Sequence, residues 1–122
     1  AGAFVAETDI DCLAVAIGTV HGAYRRAPHI RLGLLEEIAA RVPVPLVLHG
    51  GSGTPVDMLH GAIRRGVAKI NICTDIHLAW LQGAATAQAS LTPSVPGLFY
   101  QPARRQLVQK VTEIIKLCFP AT

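Results

Sequence analysis

The 122-residue sequence predicts an α/β fold in which parallel strands are covered by helices. Three short apolar runs of strand length occupy residues 12–17, 46–48 and 67–72, and stretches with helical spacing lie between them. Strand–helix–strand connections of this kind are right-handed and place the strands parallel. We therefore expect residues 1–122 to form one partial domain, taken either from a (β/α)8 barrel or from an open doubly wound sheet.

The first elements follow from apolar spacing. Residues 1–8 have the pattern of a helix, and because the sequence opens on alanine we expect a fragment that lacks its amino-terminal part. Residues 12–17 are apolar without a break, so both faces of that strand should be covered. A loop at 18–30 then leads to an amphipathic helix at 31–41, whose apolar side consists of Leu32, Leu35, Ile38 and Ala39.

The second strand, residues 46–48, leads through a glycine-rich turn into a helix that starts with Pro55 and runs to about Arg65. Proline is tolerated in the first turn of a helix because its missing N–H has no partner there. Thr54 is the expected cap of this helix. Gly66 is the expected glycine just beyond its end.

Two long helices are predicted after the third strand, residues 67–72. The first runs through Ala89. A loop at 90–97 contains prolines, and it separates this helix from a last one at 99–118.

Composition excludes several classes of protein. Apolar residues make up 51% of the chain and charged residues 16%, which is typical of a folded globular domain. The net charge is +3, but the basic residues are dispersed, so we expect no nucleic-acid partner. No apolar run approaches the roughly 18 residues of a membrane span, and we expect no membrane partner. The three cysteines have no CxxC spacing, which favours free thiols and a cytoplasmic protein.

Two histidines follow predicted strands and each precedes a glycine. They are His21, beyond the first strand, and His49, directly after the second. Parallel neighbours lie about 4.8 Å apart, so imidazoles at the same edge can converge on one ion. Neutral imidazole is a good ligand for Zn²⁺. Either histidine alone is more often an ordinary loop residue satisfied by hydrogen bonds, but the pair indicates a shared metal site.

Two loops at the same strand edge are candidate anion sites. Gly50, Gly51 and Ser52 lie between a strand and a helix, where backbone N–H groups and the helix dipole favour a phosphate. Asn71 to Thr74 occupy the corresponding place after the third strand. The alternatives are a plain tight turn for the first loop, and strand termination with helix capping for the second.

The three strand-end segments together resemble the class II, metal-dependent ketose-bisphosphate aldolases, the family of fructose- and tagatose-bisphosphate aldolases. The matching segments are residues 13–24 (LAVAIGTVHGAY), 46–55 (LVLHGGSGTP) and 69–75 (KINICTD). The resemblance covers nearly the whole chain. It implies the C-terminal part of a TIM (β/α)8 barrel.

The resemblance also implies roles for individual residues. His21 and His49 would be two of three zinc ligands, and a Na⁺ or K⁺ ion could lie near Gly22 and Ser52. The implied substrate-binding set consists of Gly22, Gly50, Gly51, Ser52, Asn71, Ile72, Cys73 and Thr74. The activity implied is reversible cleavage of fructose or tagatose 1,6-bisphosphate to glycerone phosphate and glyceraldehyde 3-phosphate. The full-length protein would be a homo-oligomer, a dimer or a tetramer.

No catalytic residue of that family can be placed in this chain. The third metal histidine, the acid–base aspartate and a glutamate would lie upstream of residue 1. We therefore expect the isolated 122 residues to be inactive. The alternatives are a half-barrel that only binds phosphate or associates with another chain, and a phosphate-binding barrel without metal.

Overall fold

The computed structural model describes residues 1–20, 22, 28–90 and 96–119, with the side chains of residue 90 and residues 96–99 left aside. These residues form two compact units, Ala1–Cys73 and Thr74–Thr122. Each unit is described by itself below. The expectation of one domain over residues 1–122 stays a prediction.

The first unit contains three parallel strands and three helices. In chain order the elements are α1 (Gly2–Thr8), β1 (Leu13–Ala14), α2 (Leu32–Ala39), β2 (Leu46–Leu48), α3 (Val56–Ile63) and β3 (Val67–Ile70). The strand order is β1-β2-β3, with Leu13 paired to Leu46 and Leu48 paired to Ile70. The predicted α/β fold of parallel strands with helical crossovers is therefore confirmed.

The core of the first unit surrounds the central strand. All three residues of β2 are buried, as their uninterrupted apolar sequence predicts for a strand covered on both faces. Leu35 of α2 and Ala62 of α3 are fully buried as well. Each of these two residues lies on the apolar stripe of its helix, which is the side that an amphipathic helix buries against the core.

Strand β1 is shorter than predicted. Only Leu13 and Ala14 pair with β2, although the apolar run continues to Ile17. Ile17 is fully buried, but its carbonyl accepts a hydrogen bond from the N–H of Arg31 at 2.8 Å. The backbone has thus left the ladder to bond with the segment that precedes α2. Burial alone had suggested strand, and it does not distinguish the two.

The predicted cap of α3 is wrong. The N-cap is Pro55, with φ −55° and ψ 142°, and no side chain caps the helix. The hydroxyl of Thr54 is buried and has no hydrogen-bond partner within the described residues. The predicted glycine beyond the helix is present, because Gly66 follows the last turn with φ +96°.

The second unit consists of two helices, α4 (Thr74–Ser90) and α5 (Pro96–Cys118). They pack through small residues, since a Cβ on Gly83 would come within 2.4 Å of the Cα of Ala103. The rings of Trp80 and Tyr100 stack at a centroid distance of 6.2 Å. In the described part of the chain no helix is long and apolar enough to cross a bilayer.

Helix α5 begins earlier than predicted. It starts at Pro96, whereas the sequence pattern predicts a loop through residue 97 and a helix from residue 99. Residues 91–95 of the predicted loop lie outside the described residues. The physical reason is that proline fits the first turn of a helix as well as it fits a loop. Pro102 also lies within α5, near its amino-terminal end.

Candidate anion and metal site

The candidate site lies where the strands of the first unit end. Because the strands are parallel, the segments that follow β1, β2 and β3 leave the sheet at one edge. Ligand sites of parallel α/β sheets form at this carboxyl edge. The predicted residues Gly50 to Ser52 and Asn71 to Cys73 lie there, and Thr74 is the first residue of α4 in the second unit.

Three hydrogen bonds join the segment after β3 to the last residue of β2 and to the segment that follows β2. The N–H of Asn71 donates to the carbonyl of Leu48 at 2.9 Å, and the N–H of Gly51 donates to the carbonyl of Asn71 at 3.0 Å. The N–H of Cys73 then donates to Ser52 Oγ at 3.2 Å. The ladder thus continues beyond the strands themselves. These hydrogen bonds hold two of the predicted substrate-binding loops side by side at the carboxyl edge of the sheet.

Two glycines of this edge lie close to neighbouring atoms. Gly50 has φ +71°, and a Cβ there would lie 2.5 Å from the carbonyl oxygen of Val20. A Cβ on Gly51 would lie 2.7 Å from the Ile70 side chain and 3.2 Å from the carbonyl oxygen of Asn71. At Gly50 the close atom is a backbone oxygen, so a Cβ there would require the backbone to move, whereas at Gly51 the closest atom belongs to the Ile70 side chain. The two glycines therefore allow all three strand ends to come together.

The contact between Gly50 and Val20 bears on the histidine pair. Gly50 directly follows His49, and Val20 directly precedes His21 in the sequence. The chain segments that carry the two predicted metal ligands therefore meet at this edge. His49 is exposed, as is Gly22 with φ +92°. His21 lies outside the described residues, so the shared metal site stays a prediction.

Among the described residues, His49 suits the role of a metal ligand. His49 places an exposed imidazole directly after β2, which is the donor type that Zn²⁺ accepts. No group of three histidine, cysteine or acidic side chains lies together among residues 1–20, 22, 28–90 and 96–119.

The residues predicted to bind an anion differ in their hydrogen bonds and in their exposure. The N–H groups of Gly51 and Cys73 donate within the protein, so in this arrangement they shape the edge. Ser52 is 6% exposed, and its hydroxyl accepts the Cys73 hydrogen bond. Cys73 itself is exposed, and Asn71 and Ile72 are half-buried. The substrate-binding role of this set stays a prediction.

Sequence reasoning missed one contact of this site. The ammonium group of Lys69 donates a hydrogen bond to Oδ1 of Asn71. The two residues are separated by one position on an extended segment, so they lie on the same face of the sheet. That spacing is the signal in the sequence that could have identified the pair.

The chain belongs to the class II fructose-bisphosphate aldolase family, because the family model described as "Fructose-bisphosphate aldolase class-II" matches residues 1–121. It is similar to the 6-phospho-5-dehydro-2-deoxy-D-gluconate aldolase of Shouchella clausii (strain KSM-K16), with 41% identity over 114 residues. That match covers 93% of this chain and 39% of the relative.

Solved structures give the same family. The YdjI aldolase from Escherichia coli K12 matches with a TM-score of 0.82 and 31% identity, over 97% of this chain and 42% of that one. A putative fructose-1,6-bisphosphate aldolase from Coccidioides immitis matches with a TM-score of 0.76 and 25% identity, over 93% of this chain and 39% of that one. The chain thus spans about two fifths of the length of these relatives. The resemblance read from the three motifs is confirmed, and the fold is that of the TIM-barrel class II aldolases.

Proposed function

We propose that this chain is the C-terminal part of a zinc-dependent aldolase that cleaves a carbon–carbon bond of a phosphorylated ketose. The observation that carries the proposal is the joined edge after β2 and β3, in a chain of the class II aldolase family. That edge places His49, the glycine loop and Asn71 together where the strands end. Each of these residues has a donor or ligand chemistry that such a reaction needs.

The proposed substrates share one half. Fructose and tagatose 1,6-bisphosphate carry a ketone beside a phosphorylated carbon. The compound named in the Shouchella relative, 6-phospho-5-dehydro-2-deoxy-D-gluconate, also has a ketone at C5 beside a phosphate on C6. Aldol cleavage two bonds from the ketone carbon releases glycerone phosphate from all three. We propose that the edge described above binds this common half, with fructose 1,6-bisphosphate as the first substrate to test.

The half that differs distinguishes the proposed substrates. It carries a second phosphate in the bisphosphates and a carboxylate in the gluconate. We propose that residues outside these 122 contact that half and decide the substrate, because the chain covers only 39% of the Shouchella relative. The acid–base residue and a further metal ligand are proposed to lie in the same part.

The residues of this chain bind and orient the substrate in the proposed reaction. The O–H of Ser52, whose oxygen accepts from Cys73, and N–H groups of the glycine loop other than that of Gly51 hold the phosphate end, which fixes the position of the ketone. Asn71 offers its side-chain amide to an oxygen of the reacting carbons. His49 and His21 hold the zinc ion. When bound, zinc supplies Lewis-acid polarisation of the ketose carbonyl.

We further propose that the protein is cytoplasmic. Cys12, Cys73 and Cys118 are free thiols, which is typical of proteins in the reducing cytoplasm. A cytoplasmic location fits an enzyme of sugar-phosphate metabolism. A dimer or tetramer of the full-length protein remains part of the proposal, and size-exclusion chromatography with light scattering measures it.

A coupled aldolase assay tests the proposed activity. We expect no cleavage of fructose 1,6-bisphosphate by the 122 residues alone, and cleavage once the chain is extended with its own upstream sequence. The 6-phospho-5-dehydro-2-deoxy-D-gluconate substrate is assayed in parallel. Absence of cleavage of both substrates, and of tagatose 1,6-bisphosphate, by the zinc-loaded extended chain would favour the alternative of a barrel that only binds phosphate.

Metal content tests the proposed role of His49. In the extended chain, His49→Ala should lower bound zinc and remove most of the activity, because a catalytic zinc site has few protein ligands to spare. The matched control is His29→Ala, which changes another exposed histidine of the first unit. If both variants retain the zinc content of the parent protein, His49 is not a ligand.

A further inference from the structure

We propose that Lys69 is the positioning residue of Asn71, and that it fixes the side-chain amide so that its NH₂ group is directed to the substrate. The proposal rests on the proposed function, because it assigns a task within the same site. Its structural basis is the hydrogen bond from Lys69 Nζ to Asn71 Oδ1.

The chemistry of the two groups determines the orientation of the amide. An ammonium group donates hydrogen bonds and cannot accept them. The end of the Asn71 side chain that faces Lys69 must therefore be the oxygen. The nitrogen, which carries two N–H donors, is consequently the end that remains for another partner. This assignment follows from donor and acceptor chemistry, without requiring that hydrogen atoms be seen.

The backbone of Asn71 is already fixed. Its N–H donates to Leu48 at 2.9 Å, and its carbonyl accepts from Gly51 at 3.0 Å. The side-chain torsions are thus the remaining freedom of this half-buried residue. A free asparagine amide can present either its oxygen or its nitrogen, and only one of these is a donor. Lys69 removes that ambiguity.

Lys69 has no competing acidic partner in the part of the chain that the structure describes. Ion pairs of that part include those of Arg65 with Glu36 and of Lys110 with Glu113, and neither involves Lys69. Lys69 is itself exposed, as is Ala68 beside it on β3, whereas Val67 of the same strand is buried. A lysine at this place is available to polarise the amide it contacts. Hydrogen-bonded chains of this kind strengthen their members.

The consequence concerns charge that develops during the reaction. Cleavage beside a ketone leaves negative charge on the oxygens of the released ketose half. An N–H donor held towards those oxygens stabilises that charge more than it stabilises the neutral substrate. Loss of Lys69 should therefore lower kcat more than it raises KM, because the interaction strengthens only in the transition state.

The kinetic test is a double-mutant cycle in the extended chain, with Lys69→Met, Asn71→Ala and the double variant. We expect Lys69→Met to lower kcat about tenfold, an order of magnitude typical of one polarised hydrogen bond. Lys69→Arg, which also donates only, should retain most of the activity. In the Asn71→Ala background, Lys69→Met should have no further effect.

Three kinetic results would overturn the proposal. Independent, multiplicative losses in the double variant would mean that Lys69 acts on the substrate directly. A change confined to KM would mean that it supplies only charge for binding. If instead Asn71→Ala retains the parent kcat, the role of Asn71 in the proposed function fails, and the positioning role fails with it.

A spectroscopic measurement removes the dependence on activity and on the extended chain. In ¹⁵N-labelled 122-residue protein, the side-chain amide resonance of Asn71 should shift in Lys69→Met and stay near its parent position in Lys69→Arg. Asn71→Ala identifies the resonance by its disappearance. An Asn71 resonance unchanged in Lys69→Met would show that no such contact exists, whatever the enzyme assay gives.

Discussion

The two units of this protein achieve close packing in different ways. In the first, three short strands and their loops approach through main-chain hydrogen bonds and through glycines such as Gly50. In the second, two long helices approach through small side chains, with Gly83 against Ala103. The first arrangement creates an edge that can present chemistry. The second consists of packing between helices, and those of its described residues that are buried (Ala79, Gly83, Ala87 and Ala103) are all small.

The largest expected effect tests the helical unit. Gly83→Ala places a Cβ 2.4 Å from Cα and 2.8 Å from N of Ala103, and backbone atoms cannot move aside as a flexible side chain can. We expect a loss of about 3 kcal/mol in the free energy of unfolding, at the upper end for overpacking. Urea unfolding followed by circular dichroism measures it.

The matched control for that variant is Gly33→Ala. Gly33 lies in α2, and a Cβ there meets no described atom within 4 Å. This substitution should be neutral or stabilise the protein by up to about 0.5 kcal/mol, because alanine favours helix more than glycine does. If Gly33→Ala lowers the free energy of unfolding as much as Gly83→Ala does, the loss at residue 83 does not come from the packing between α4 and α5.

The next effect tests the joined edge of the first unit. Gly50→Ala must adopt φ +71° and also bring its Cβ within 2.5 Å of the Val20 oxygen. We expect a loss of about 2–3 kcal/mol, the sum of conformational strain and displacement. Gly22→Ala, with φ +92° and no close neighbour in the described residues, should show only the strain, about 1–2 kcal/mol. If the two variants lose equal free energy of unfolding, the close approach of residue 50 to Val20 does not contribute to the loss.

A smaller effect tests the hydrogen bond between the two loops. Ser52 is 6% exposed, and its hydroxyl accepts a hydrogen bond from the N–H of Cys73. Ser52→Ala removes that acceptor. We expect a loss of about 1–2 kcal/mol. Thr86→Ala removes an exposed hydroxyl from α4 and should change the free energy of unfolding by less than about 0.5 kcal/mol. A Ser52→Ala protein as stable as its parent would contradict the importance of this bond.

The smallest effect has the opposite sign. Thr54→Val removes a buried hydroxyl that has no hydrogen-bond partner among the described residues, while keeping the shape of the side chain. We expect no loss, and a gain of up to about 1 kcal/mol. Thr54→Ser keeps the hydroxyl and loses a methyl group, so it should be less stable than Thr54→Val. A clear loss in Thr54→Val would indicate that this hydroxyl has a partner after all.

The bounds of an element were predicted correctly where its sequence pattern is compatible with a single backbone path. Leu46–Leu48 matches its predicted bounds because a buried apolar run beside two prolines can only be a short strand. The bounds of β1 were wrong because Ile17 is buried outside the ladder. Helix α5 starts early because Pro96 suits both a loop and a first turn. Each error lies where the same local pattern is compatible with two backbone paths.

The candidate site was predictable to the level of neighbouring loops. Parallel topology required that Gly50 to Ser52 and Asn71 to Cys73 leave the sheet at one edge, and the structure places them there. The individual bonds were not predictable, because they depend on register. In the bond from Cys73, Ser52 Oγ is the acceptor, a contact that the sequence did not indicate for this hydroxyl. Lys69 lies within the predicted third strand, and its spacing from Asn71 places both on one face.

The stacked pair of rings in the second unit has a practical use. Trp80 is the sole tryptophan of the 122 residues, and its ring lies 6.2 Å from that of Tyr100. Intrinsic fluorescence excited selectively at tryptophan therefore reports on the helical pair and is blind to the sheet. A melting curve recorded by emission and one recorded by ellipticity would coincide only if the two units lose their order together, so the chain carries its own probe of cooperativity.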